Sequence, residues 1–267
     1  MAESFQTHPT EIDMLVVYDI STQKAGQLAE KFVAHAPKFD LILIIGPFSD
    51  VKKALTPEDL AVAEGDMASS IAQLENITCR VVYLPGERDP PNTLIEQLHL
   101  TPNSINLYSR RLPLRTGLFI TGFTETGDNL DTRKVPDDVD RSAESDDELE
   151  DVEVKSGISS IKVIKEILLA DDQSSRIDSG IFLFSYKFIH TLNHFLFHMG
   201  DEIEKSKVNI CIIAPTTDDA LRLPTTFGKL AIVVPKSLRD GGNYCTIRIK
   251  QIEDLTWQPT LIEHFVL

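Results

Sequence analysis

Residues 81–91 read Val-Val-Tyr-Leu-Pro-Gly-Glu-Arg-Asp-Pro-Pro, so an apolar, β-favouring run breaks at Pro85-Gly86 and at once delivers Glu87, Arg88 and Asp89. Such a layout suits an active-site loop at the end of a buried strand, but on this stretch alone a polar surface turn is the favoured reading, because charged turns are common and strand-end sites are a minority of them. Other apolar runs end in a similar way. One stops before Asp19-Ile20-Ser21, one before Gly46-Pro47-Phe48-Ser49-Asp50, and a late one before Ala214-Pro215-Thr216-Thr217-Asp218.

The elements that must position these residues alternate. Residues 14–18 form a short strand, and a helix follows over 22–36 with Ala25, Leu28, Phe32 and Val33 on its apolar face. Residues 39–45 are a continuous apolar strand of the kind buried on both faces of a parallel sheet. Thr56-Pro57-Glu58-Asp59 has the order of a capped helix start, with Thr56 as N-cap, and opens a helix towards Leu74. Residues 78–84 then lead into the opening motif. From 104 to 122 the runs are short and turn-separated, which predicts antiparallel or edge strands and a second sheet. A helix over 158–169, a strand over 179–186, an amphipathic helix over 188–205 and a strand over 208–213 follow. Three β segments close the chain, over 229–234, 244–252 and 260–265, with residues 237–242 as a turn.

Composition limits the function classes. The net charge is −15, from 41 acidic and 26 basic residues, which disfavours charge-driven contact with nucleic acid or anionic lipid. Residues 125–155 hold 13 acidic and 4 basic residues, a net of −9, which leaves −6 for the rest of the chain. Polar and almost without aromatics, residues 125–157 are expected to form a disordered acidic insertion within a single domain spanning 14–267, behind a flexible N-terminus of 1–13. Ser145 precedes Asp146-Asp147-Glu148, an acidic context favoured by casein kinase 2, so it is a candidate modification site; the alternative is an unmodified solvated loop. No apolar run is long enough for a membrane span, no secretory signal layout is present, and Cys79, Cys211 and Cys245 lie in strand-like runs. These features predict an intracellular protein, cytoplasmic or nuclear.

Rival sites are weaker. His190, His194 and His198 recur every four residues, so on a helix they form one stripe that could hold a metal; the interleaved Leu192, Phe195, Leu196 and Phe197 fit a packing helix better. No Gly-x-Ser-x-Gly elbow, P-loop or Gly-x-Gly-x-x-Gly occurs.

The order of strand-end loops is similar to that of the calcineurin-like metallophosphoesterase family. That family carries Asp-x-His, Gly-Asp, Gly-Asn-His-Asp/Glu, a later strand-end His, Gly-His-x-His and a Pro-Gly-Ser turn. Here the corresponding places read Asp19-Ile20-Ser21, Gly46-Pro47, Gly86-Glu87-Arg88-Asp89, Ser185-Tyr186, Ala214-Pro215-Thr216-Thr217 and Pro235-Lys236-Ser237-Leu238-Arg239. The resemblance covers about 14–122 and 158–267. It implies a four-layer α/β/β/α sandwich with two mixed β-sheets. It also implies a vestigial site, because Asp19 keeps a ligand while Ser21, Pro47, Glu87, Ser185 or Tyr186, Ala214 and Thr216 stand where metal ligands belong. Arg88 stands where the family has its acid-base His, and a guanidinium does not release its proton near neutral pH. In the shared cleft that the resemblance implies, Asp19, Glu87 and Asp89 would repel one another without bound cations, and Arg88 is the natural counter-charge.

Loss of this many ligands argues against the two-metal mechanism, so no cofactor is expected. The leading expectation is a non-catalytic protein-binding subunit or scaffold, like the relatives that serve in assemblies such as retromer and the DNA polymerase B subunits. Two alternatives stand beside it. One is a manganese- or magnesium-dependent phosphoesterase with a rearranged one-metal site built from Asp19, Glu87, Asp50 or Asp89; the other is a component of an RNA-processing complex, related to the lariat-debranching-like proteins that lack metal ligands. Direct nucleic-acid contact is not expected in any of these.

Overall fold

The computed structural model describes residues 10–35, 39–49, 56–77, 80–86, 89, 100–108, 110–124, 179–186, 207–215, 226–227, 230–253 and 256–267. In chain order the elements are β1 (Glu11–Tyr18), α1 (Thr22–His35), β2 (Leu41–Ile45), α2 (Pro57–Glu75), β3 (Val81–Leu84), β4 (Ser104–Asn106), β5 (Arg111–Arg115) and β6 (Leu118–Thr124). They continue with β7 (Ser179–Tyr186), β8 (Val208–Pro215), β9 (Thr226–Phe227), β10 (Leu230–Val233), a short helix α3 (Leu238–Gly241), β11 (Asn243–Glu253) and β12 (Thr256–Val266).

Two mixed sheets result. The first runs β12-β11-β1-β2-β3-β4 and the second β5-β6-β7-β8-β10-β9. Within the first, β1 to β4 are parallel while β11 and β12 return antiparallel. Within the second, β6, β7, β8 and β10 are parallel and the edge strands β5 and β9 are antiparallel.

Strand side chains alternate between faces, and in β2, β3 and β6 both faces are buried, which is why the sequence shows continuous apolar runs there. Met14, Val16, Leu43 and Val82 face the second sheet and meet Ile120, Ile181, Leu183 and Ile212 in one core. Their neighbours Leu15, Val17, Ile44 and Tyr83 face the other way, against Leu28 and Phe32 of α1 and Met67, Ile71 and Leu74 of α2. Trp257 belongs to the inter-sheet core and donates its indole N–H to the Thr116 carbonyl. The architecture is therefore an α/β sandwich of two mixed sheets with helices over the first; the helices expected over 158–169 and 188–205 lie outside the described residues.

The capped helix start is present as the sequence implies. Thr56 Oγ1 accepts from the Asp59 N–H at 3.1 Å, and Asp59 Oδ2 accepts from the Thr56 N–H at 3.3 Å. Three expectations need correction. β1 begins at Glu11, before the expected domain start at 14, because Glu11 and Asp13 are held to β11 by Lys250 and Arg248 at 2.8 and 2.7 Å; charged ends of this kind are invisible to an apolar-run criterion. Val33 is 61% exposed, a hundred degrees round the helix from the buried Phe32. Residues 237–242 are a turn of helix, with Ser237 Oγ accepting from the Asp240 N–H and Gly242 closing it at φ 66°. The acidic segment 125–157 and Ser145 lie outside the described residues. No described helix is long and apolar enough to cross a membrane.

Candidate functional site

The C-terminal ends of β1, β2 and β3 lie side by side, and backbone hydrogen bonds stitch their loops together. Gly46 N–H donates to the Leu84 carbonyl at 2.9 Å, Asp19 N–H to Ile45 at 3.0 Å and Ile20 N–H to Pro47 at 3.0 Å. The segment after β10 joins them: Ser237 bridges Tyr18, and the Arg239 N–H donates to the Asp19 carbonyl at 2.8 Å. Strand-end residues far apart in sequence are thereby gathered at one edge, where α/β sheets place their sites.

Asp19 occupies the left-handed region at φ 50°, a conformation that Asp tolerates better than most side chains. Its two carboxylate oxygens are both engaged. Arg239 Nε donates to Oδ1 at 2.9 Å and Ser237 Oγ donates to Oδ2 at 2.7 Å, while Arg239 Nη2 donates to the Ile20 carbonyl at 2.6 Å. With side chains 13% and 14% exposed, Arg239 and Asp19 form a largely buried ion pair. The planar guanidinium serves both oxygen acceptors at once, which an ammonium group does not do with the same geometry. Arg239 was not singled out by the sequence.

Ser21 is the N-cap of α1: its Oγ accepts from the Lys24 N–H at 3.4 Å and its carbonyl from the Ala25 N–H at 2.9 Å. Pro47 follows Gly46 through a cis peptide bond and offers only its carbonyl. Asp89, 2% exposed, turns inward. Its Oδ1 accepts from the Phe48 N–H at 2.9 Å and its Oδ2 from the Gly86 N–H at 2.7 Å, with the Ser49 N–H as a further donor. Asp89 is therefore the internal acceptor that ties the loop after β3 to the loop after β2.

On the second sheet, Thr124, Ser185 and Ala214 sit in one row across β6, β7 and β8. Ala214 is buried in the inter-sheet core, and Thr124 Oγ1 is buried with no hydrogen-bond partner among the described residues. Asp50, Glu87, Arg88, Thr216 and the His190, His194 and His198 stripe lie outside the described residues. Among the described residues no group of three or more His, Cys, Asp or Glu is placed to hold a metal ion. The cysteines Cys211 and Cys245 are buried and free, and burial pushes both thiols up to about 12, far from a nucleophilic thiolate.

No family model matches the chain, and no curated protein matches it. Solved structures do. A crystal structure of TT1561 of Thermus thermophilus is similar at 15% identity with a TM-score of 0.53, over 94% of this chain and 98% of that one. A second crystal structure is similar at 9% identity with a TM-score of 0.57, over 96% and 99% of the two chains. The fold is shared. At these identities the likeness speaks for the arrangement of the sheets and not for the chemistry at their edge.

Burial of Asp89 raises its pKa from the ordinary 3.8 to about 6, against the pull of its backbone donors and of the Arg239 charge. The folded state then holds the proton more tightly than the unfolded chain. Stability from this group is greatest below pH 4, declines as pH rises from about 4 to about 6, and is level above, a change of about 3 kcal/mol. Denaturant titrations of the wild type and Asp89→Asn across that range should differ in slope, with the variant lacking this decline. Parallel curves would show that Asp89 does not titrate there.

Proposed function

We propose that this chain is a metallophosphoesterase-like protein without metal chemistry, acting as a protein-binding subunit or scaffold in a larger complex. The engagement of both Asp19 oxygens by Arg239 and Ser237 carries this reading. Two-metal phosphoester hydrolysis needs a set of imidazole and carboxylate donors facing one cleft, one of them bridging. The described residues do not fit such a group. Asp19 is neutralised by a guanidinium, Asp89 is turned into the loop backbone, Ser21 caps a helix, and Pro47 and Ala214 offer no donor side chain. A fold that keeps its edge loops ordered by internal ion pairing and hydrogen bonds is suited to presenting a fixed surface.

The test measures both halves of the proposal. Purified protein desalted after incubation with manganese or magnesium should carry less than one metal ion per chain and should not hydrolyse an aryl phosphodiester above the buffer rate. Affinity purification from cells should return a complex of defined stoichiometry. Manganese-dependent hydrolysis that disappears in Asp19→Asn would instead establish the rearranged enzyme, and a chain recovered alone would remove the scaffold role.

A further inference from the structure

β12 closes one side of the first sheet and, among the described residues, pairs only with β11. From Thr260 to Leu267 every side chain on it is exposed, although Tyr244, Cys245 and Ile247 opposite are buried. Leu261, Ile262, Phe265, Val266 and Leu267 are all among the exposed large apolar residues. Edge strands of proteins that stay apart are usually guarded by Lys, Pro, bulges or shortness. Here the bulge and Pro259 lie before Leu261, and 260–267 contains no Lys, Arg or Pro.

The ladder fixes which backbone groups face outward. Leu267 N–H donates to the Gly242 carbonyl at 2.9 Å, so Leu267, Phe265, Glu263 and Leu261 bond towards β11. Ile262, His264 and Val266 therefore direct their N–H and C=O groups to the outer edge, where the Val266 carbonyl accepts from Lys31 Nζ at 3.5 Å, a contact that a pairing strand would replace. A second β12 running antiparallel can meet those groups only when residues of like parity oppose one another. Centring the pair on Glu263 sets two carboxylates face to face, and centring it on Ile262 drives the bulge and Pro259 into the new ladder. Centring it on His264 pairs the regular segment with itself. Ile262 then faces Val266 of the copy, Leu261 faces Leu267, and no like-charged carboxylates meet.

We propose that a second copy of this chain docks antiparallel along β12, with the two-fold axis at His264, continuing the first sheet through both copies. One short strand paired with its copy over 261–267 is a small interface, which suits a dimer with a dissociation constant on the order of micromolar. In analytical ultracentrifugation from about 2 to about 200 μM, the wild type should shift from monomer to dimer. His264→Pro removes only an outward N–H, so it should stay monomeric across that range while keeping the wild-type unfolding curve. His264→Lys, at an exposed side chain, places two ammonium groups on the axis and should weaken the dimer at least tenfold, and it carries the test if the proline variant does not fold. A wild type that stays monomeric at the upper concentration, or a dimer indifferent to His264→Lys, overturns the proposal.

Discussion

Gly86→Ala should cost the fold at least about 4 kcal/mol or prevent soluble expression altogether. A Cβ at Gly86 would lie 2.5 Å from the Gly46 carbonyl carbon, 2.6 Å from Pro47 N and 2.8 Å from the Gly46 oxygen. These neighbours are backbone, so no rotamer change relieves the clash. Nor can the backbone withdraw: Gly46 is bonded to Leu84, Pro47 to Ile20, and Phe48 to Asp89. Separating the two loops by the ångström that a methyl needs would break that set together. Gly65 in α2 is the internal control, because a Cβ there meets nothing within 4 Å and Ala is the better helix former by about 1 kcal/mol. Thermal unfolding should therefore move in opposite directions for the two Gly→Ala variants. If Gly86→Ala melted within a few degrees of the wild type, the close packing of the two loops would not hold the site edge.

Much of this arrangement was legible because its causes are local. Strands buried on both faces must be continuously apolar, so β2, β7 and β8 announce themselves, and Gly46 marks the point where β2 leaves the sheet. The capped start of α2 is written in four consecutive residues. Ser21 could have been read the same way, since Ser directly before a helical run is an N-cap signal. What the sequence does not reveal is tertiary pairing. Arg88, which lies outside the described residues, is adjacent in the chain to two acids and so is visible as a counter-charge, whereas the guanidinium of Arg239 beside Asp19 comes from 220 residues away. Asp89 was equally ambiguous: a carboxylate after Pro-Gly reads as a ligand or as a surface charge, and only the placement of the Phe48 and Gly86 amides shows that it faces inward.

Arg239→Ala should destabilise the protein by about 3 kcal/mol, the loss expected when one partner of a largely buried ion pair is removed. Asp19 would keep Ser237 Oγ as a donor but lose its counter-charge, and the Ile20 carbonyl would lose the Nη2 donor. The loss should spread to Asp89, whose ionisation Arg239 also favours, so in the variant Asp89 should ionise at a higher pH. Arg239→Lys should recover only part of the stability, because an ammonium restores the charge without the fork that reaches Asp19 and Ile20 together. Asp19→Asn is the matching change on the other side: Asn accepts φ 50° and retains one oxygen acceptor. A double-mutant cycle of Asp19→Asn with Arg239→Ala, read by denaturant unfolding, should give a coupling of about 2 kcal/mol. A coupling near zero would mean that the pair is incidental, and that Asp19 is free to serve a cation after all.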